Sequence, residues 1–330
     1  MSGSKRRHAW RWPLLFGLTL AGCGAERAEF LPPVQEGTRI VEGAELYYRT
    51  IGVGEPIVVV HGGPGLEHSY LLPGMEPLGE TYQLVLYDQR GLGRSTGALD
   101  SISISMDSYI ADLEAIREVA GVERVNLLAH SWGSLLAIMY ALQHPDRIKA
   151  LILMSPVEPG PRYRNETGAN TQARRAPEDA AAIDSLVRSV GFERGDPETL
   201  GRMFHHAFRG TFADPARAAE LDLNLTERTA RQGREVTALL MTPLVDLDLW
   251  DALADVTAPV LIVHGDRDPI PLAMVEEMVA RMPNAQLVVL NEVGHFPFIE
   301  SPEELFGAIQ RFLDDETADN EPLERARIGR

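Results

Sequence analysis

The segment Leu127-Leu128-Ala129-His130-Ser131-Trp132-Gly133-Ser134 sets a serine between small residues two positions away on either side. An apolar run precedes it and a helical pattern follows. This is the strand–serine–helix arrangement G-x-S-x-G, with Ala129 in place of the first glycine. Bulky neighbours at those two positions would collide across so sharp a turn, so Ser131 is the candidate nucleophile; a serine that merely caps the helix is the structural alternative. A serine hydroxyl attacks poorly until a base takes its proton, and the base needs an orienting acid. Downstream, APVLIVHG runs into Asp266-Arg267-Asp268-Pro269, and QLVVLNEVG runs into His295-Phe296-Pro297-Phe298. Acid and base thus leave consecutive strand ends, after the serine. His295 is the candidate base. Asp268, further toward the rim than Asp266, is the preferred acid.

Acyl transfer by such a set also needs donors for a developing oxyanion. Val58-Val59-Val60-His61-Gly62-Gly63-Pro64-Gly65 ends a strand in a glycine-rich loop, where a backbone N–H can approach a substrate carbonyl without side chains intruding. Gly63 and Trp132, the residue after the nucleophile, are the candidate donors. The loop is not a phosphate cradle, because no G-K-[ST] follows and no G-x-G-x-x-G is present. Gly91-Leu92-Gly93 also stops short of a dinucleotide fingerprint, and Asp88 and Arg90 read as local ion-pair partners.

The elements that must position these residues follow from the hydropathy pattern. Short apolar runs at Ile57–Val60, Gln83–Tyr87, Val125–Leu128, Ala150–Met154, Val260–Val263 and Gln286–Leu290 read as buried strands. Alternation around Gly43, between Thr38 and Ile51, predicts a hairpin. Helical patterns occupy Met106–Ala120, Gly133–His144, Leu272–Met282 and Pro302–Leu313. Strand–helix alternation of this kind predicts an α/β fold, a mostly parallel central sheet with helices on both faces. Residues 157–250 lack a strong strand and read as a helical cap inserted between two core segments, 38–156 and 251–315. Residues 316–330 read as a polar tail.

His61–Gly65 (HGGPG), Asp88–Ser95 (DQRGLGRS) and Ser131-Trp132-Gly133-Ser134 together resemble the proline iminopeptidase branch of the α/β-hydrolase fold. HGGPGLEHSYLL is also similar to the tricorn-interacting aminopeptidase of that branch. The resemblance covers roughly residues 38–156 and 251–315; the cap matches in placement and helical character, not in motif. It implies the roles already read from the residues, namely Ser131 nucleophile, Asp268 acid, His295 base, and Gly63 and Trp132 as oxyanion donors. It adds a substrate class, peptides with a free N-terminus cut after the first residue. It further implies cap carboxylates that hold the α-ammonium group, for which Glu166, Asp222, Glu227, Asp246 and Asp248 are the candidates. His68, near the oxyanion loop, and Phe296 are candidate substrate contacts, with core packing the alternative for Phe296. Ala129-His130 departs from the two glycines more frequent in the family.

No cofactor or metal is expected, since the triad needs none. His205 and His206 are adjacent, so they face different sides of a helix and do not share a metal. His144 and His264 read as structural, and the sequon at Asn165 is without consequence in a bacterial chain.

The N-terminus carries Lys5, Arg6, Arg7 and Arg11, then the apolar run Pro13–Ala21, then Gly22-Cys23. A basic region, an apolar region and a small-residue exit describe an export signal. Nine residues are too few to span a bilayer, which takes about 20. Leu20-Ala21-Gly22-Cys23 resembles a bacterial lipobox, which implies cleavage at residue 22 and a lipid on Cys23, with residues 23–37 as a tether. The 330 residues hold 31 Lys and Arg against 48 Asp and Glu, a net charge of −17, and removal of the four-cation signal takes this to −17 − 4 = −21. So acidic a surface repels phosphate backbones and argues against nucleic-acid binding. A single cysteine excludes an internal disulfide. The sequence therefore predicts an exported, membrane-anchored serine hydrolase acting on a small peptide or acyl substrate. A carboxylesterase, amidase or lactonase with the same triad is the alternative, and a non-enzymatic binding lipoprotein is a more distant one.

Overall fold

The structure, a computed structural model, describes residues 33–72 and 74–319. The export signal, Cys23 and the end of the tail lie outside the described residues. Eight strands form one sheet: β1 (Val34–Val41), β2 (Ala44–Ile51), β3 (Pro56–Val60), β4 (Gln83–Tyr87), β5 (Val125–His130), β6 (Ile148–Met154), β7 (Val260–Gly265) and β8 (Ala285–Leu290). Their order is β1-β2-β4-β3-β5-β6-β7-β8. The β1–β2 and β2–β4 pairs are antiparallel and all others parallel.

Each central strand sends alternate side chains to opposite faces. Val58, Val60, Val85, Leu127, Leu151 and Ile262 bury against α1 (Met106–Val119), α2 (Gly133–Gln143) and α8 (Leu272–Arg281). Ile57, Val59, Leu84, Leu128, Ile152 and Val263 bury against α10 (Pro302–Asp319) and the short turns carrying Leu71, Met75 and Leu78. In α10 the apolar residues Leu305, Ile309, Phe312 and Leu313 recur at helical spacing, so one stripe meets the sheet.

Between β6 and β7 lies the cap, built from α3 (Arg164–Arg174), α4 (Pro177–Val187), α5 (Val190–Arg194), α6 (Pro197–Arg209) and α7 (Glu227–Leu244). Buried Asp179 joins α4 to α6, accepting from Arg209 at 2.8 Å and bonding His206 Nδ1 at 2.7 Å. The longest cap helix, α7, buries Ala230, Val236, Leu240 and Leu244 along one side. Its Thr237 hydroxyl donates to the Pro64 carbonyl at 2.9 Å, so α7 rests directly on the glycine-rich loop after β3.

Two expected boundaries move. β1 begins at Val34, inside the segment read as tether, and pairs with β2 from Val34↔Ile51 to Val41↔Ala44. It is an edge strand whose first three residues, Val34, Gln35 and Glu36, are exposed, so backbone pairing with β2 rather than apolar alternation extends it back past Thr38. The helix α10 continues to Asp319, past the expected start of the polar tail, because its last turn contains no helix breaker. Among the described residues, no helix is long and apolar enough to cross a membrane.

Candidate active site

The turn between β5 and α2 holds Ser131 at φ +53°, a left-handed conformation disfavoured by L-residues. Such strain costs on the order of 1–3 kcal/mol and persists only where the surroundings fix it. Here Ser131 N–H donates to the Met154 carbonyl at 3.0 Å, and its own carbonyl accepts from the Ser134 hydroxyl at 2.6 Å. The glycine two places on is sterically required. A Cβ on Gly133 would stand 2.6 Å from the carbonyl oxygens of both Val60 and His61.

β7 and β8 deliver the other two groups. His295 Nε2 lies 2.9 Å from Ser131 Oγ, and His295 Nδ1 lies 2.8 Å from Asp268 Oδ2. Asp268 can only accept, so Nδ1 carries the proton and Nε2 is free to take one from the serine. Asp268 Oδ1 accepts from Ile270 N–H at 2.9 Å. Burial opposes ionisation of this carboxyl, but His295, His264 and the Ile270 N–H outweigh it and hold Asp268 below its ordinary value. Burial likewise disfavours imidazolium at His295, yet the Asp268 charge and hydrogen bond prevail and push His295 above the ordinary histidine value. Asp266, the other carboxylate of the loop, turns away to Val293 N–H and Arg267.

Gly63, in the loop after β3, sits at φ +135°, a region open to glycine. The N–H groups of Gly63 and Trp132 find no backbone acceptor among the described residues. Both residues line a cavity of about 230 Å³, together with Leu135, Glu158, Met241, Leu244 and Arg164, whose guanidinium donates to the Val245 carbonyl at 3.1 and 3.2 Å. Glu158 follows β6, and its charge reaches His295.

A buried relay joins these parts. His130 Nε2 is 2.9 Å from the His295 carbonyl, which can only accept, so that nitrogen bears the proton. His130 Nδ1 therefore accepts from the Tyr70 hydroxyl at 2.7 Å, and the Tyr70 oxygen accepts from Gly62 N–H at 2.7 Å. Oxyanion loop, elbow and base loop are thus one hydrogen-bonded chain. Burial, reinforced by the His295 charge, pulls His130 down to about 3, so it stays neutral.

Two expected substrate contacts do not reach the cavity. His68 is buried, with Nδ1 2.6 Å from Asp88 Oδ1 and its ring against Tyr47. It closes a loop rather than facing substrate, because the carboxylate of Asp88 captures it. Phe296 is 2% exposed and stacks on Phe212 at 4.8 Å between ring centroids, as core packing demands. Arg90 makes its ion pair with Asp112, through two hydrogen bonds of 2.6 and 2.9 Å. None of Glu166, Asp222, Glu227, Asp246 and Asp248 lines the cavity beside Gly63 and Trp132. Asp222 lines a separate cavity under α6, and Asp248 accepts from Trp250 N–H. The carboxylate that does reach it, Glu158, went unmarked because no motif surrounds it. Tyr70 was equally silent, lying in an irregular loop. Among the described residues no group of three His, Cys, Asp or Glu forms a metal site.

Fold and site define a hydrolase of the doubly wound α/β class. The chain belongs to the α/β-hydrolase fold family, whose model matches residues 55–302. A proline iminopeptidase of Heyndrickxia coagulans is 26% identical over 276 residues, covering 80% of this chain and 92% of that one. The solved proline iminopeptidase of Mycobacterium smegmatis superimposes with a TM-score of 0.64 at 22% identity, over 87% of this chain and all of that one. An esterase from Exiguobacterium antarcticum does so at 0.60 and 21% identity, over 84% and 98%.

Proposed function

We propose that this serine hydrolase is an aminopeptidase that releases the first residue of a short peptide through an acyl-enzyme. The observation that carries the reading is Glu158, a carboxylate in the small cavity flanked by the two oxyanion candidates Gly63 and Trp132. A peptide whose first carbonyl lies between those N–H groups keeps its α-ammonium one bond from the adjacent carbon, within this confined space. The resemblance to proline iminopeptidases supports the same substrate class.

In this reading Ser131 attacks the first peptide carbonyl as His295 Nε2 accepts the hydroxyl proton. Asp268 stabilises the imidazolium, and the N–H groups of Gly63 and Trp132 bind the tetrahedral oxyanion. His295 then protonates the leaving amine, which departs as the shortened peptide. Water, deprotonated by the same imidazole, releases the first residue and restores Ser131.

A panel of arylamides tests the substrate class. Free-amine Pro-, Ala- and Leu-arylamides should be cleaved and their N-acylated forms refused, with Glu158→Gln raising KM for the free amines. Hydrolysis of p-nitrophenyl esters alone would establish the esterase instead. That second reading draws on a cavity of about 370 Å³ beside Pro64, lined by Phe192, Leu200, Met203 and Phe204, which suits an acyl chain.

Export and lipid anchoring at Cys23 belong to the same proposal and rest on the N-terminal pattern. Cys23→Ala should move the protein from the membrane pellet to the soluble fraction; an unchanged pellet would sink the anchor.

A further inference from the structure

Glu300 closes α9 (Pro297–Glu300), five residues beyond the base, and has no part in the chemistry described so far. Its carboxylate is nonetheless built into the site. One oxygen accepts from Gly294 N–H at 3.0 Å and from Phe296 N–H at 3.3 Å, the residues on either side of His295. The other accepts from Ala213 N–H at 2.7 Å, in the cap. Next to that contact, His295 N–H donates to the Thr211 carbonyl at 2.9 Å. Arg217, from the cap turn Pro215–Glu220, donates to the Glu300 carbonyl at 2.9 Å and also to that of Ile299. Glu300 therefore pins the loop on both sides of His295 and ties it to the cap, while the His295 carbonyl stays tied to His130 of the core.

We propose that Glu300 is a positioning residue that fixes His295 through the backbone N–H groups of Gly294 and Phe296 on either side of it and fastens the base loop to the cap. The inference rests on His295 acting as the base. A full carboxylate suits the post, because its oxygens must accept from three N–H groups at once; an amide presents its own donors to one of them. Burial pushes the Glu300 carboxyl above its ordinary value, against the pull of these donors and of the Arg217 charge. Facing His295 are Asp268 from the loop after β7, Glu300 from α9, Glu158 from the loop after β6, and neutral His130 at the end of β5. The Glu300 charge stabilises the imidazolium, so its removal lowers the pH at which the base becomes available.

The test uses the rate of fluorophosphonate labelling, whose endpoint counts competent sites, and kcat with any substrate the wild type cleaves. Glu300→Gln should lower kcat at least tenfold per competent site at little-changed KM, and shift the acid limb of kcat/KM to lower pH. Glu300→Asp keeps the charge but cannot span the three donors. It should lose kcat similarly with its acid limb in place. A tenfold loss corresponds to a misplacement smaller than 1 Å, which can cost roughly a hundredfold. Wild-type kcat per competent site in either folded variant would overturn the proposal. So would a fall in activity equal to the fall in labelled endpoint, which marks a merely structural role. If Glu300→Gln does not fold, Glu300→Asp decides alone. A wild type that never labels at Ser131 would instead refute the hydrolase mechanism itself.

Discussion

Replacing Tyr70 by Phe removes one oxygen and leaves two buried groups without partners. The Tyr70 hydroxyl is both acceptor for Gly62 N–H and donor to His130 Nδ1, each at 2.7 Å, and the ring is 2% exposed. His130 is fully enclosed, so water cannot replace the lost donor. An orphaned buried donor or acceptor costs about 1–3 kcal/mol. Two of them, less the relief of no longer burying a hydroxyl, give roughly 3 kcal/mol. Unfolding entropy of about 2.1 cal/mol/K per residue makes the shift roughly 1.5 °C per kcal/mol in a chain of 330 residues, so Tm should fall by roughly 4–5 °C. The relay also predicts a kinetic signature. Gly62 adjoins the Gly63 donor, and His130 holds the carbonyl of the base, so kcat should fall while KM changes little. Thermal melting with active-site titration measures both. A Tyr70→Phe protein as stable and as fast as wild type would refute the tautomer assignment and the relay with it.

Three further outcomes follow from the same geometry. Gly133→Ala forces a methyl against two backbone carbonyls 2.6 Å away, and should destabilise the protein by more than about 2 kcal/mol in urea titration; a neutral effect would show the elbow to be loose. Asp268→Asn should cut kcat on the order of 10⁴-fold while the labelled serine stays accessible, since the amide no longer holds His295 in the working tautomer; its acid limb should move to lower pH, because Asp268 is what raises His295. Finally, His61 and His130 are buried neutral, held down to about 4 and about 3. The unfolded chain therefore binds more protons below the ordinary histidine value of 6.5, and stability should fall as pH drops from there toward 4. The slope should approach 1.4 kcal/mol per pH unit for each histidine. A flat denaturation midpoint across this window would contradict their burial.

What the sequence made legible was whatever leaves a local pattern. The apolar runs of β3, β5 and β7 announce strands because both faces of the sheet are covered. The elbow is legible because steric crowding restricts residues 129 and 133 to small types. Asp268 and His295 are legible because chain order and strand ends bring them together. The start of edge strand β1, before Thr38, is not, since it depends on backbone pairing with β2 and the side chains of Val34, Gln35 and Glu36 are exposed. Nor are Tyr70, Glu158 and Glu300, whose roles depend on backbone groups and cavities assembled from distant segments. His68 misled for the same reason: it neighbours the oxyanion loop in sequence, but the fold turns it to Asp88.

Ser131, activated by His295 and Asp268, should be the nucleophile of this serine hydrolase. Intact-mass and peptide mapping after fluorophosphonate treatment tests it most directly. One adduct should form, on Ser131, lost in Ser131→Ala and slowed by orders of magnitude in His295→Ala. An unlabelled wild-type protein, or an adduct on any other residue, would contradict it.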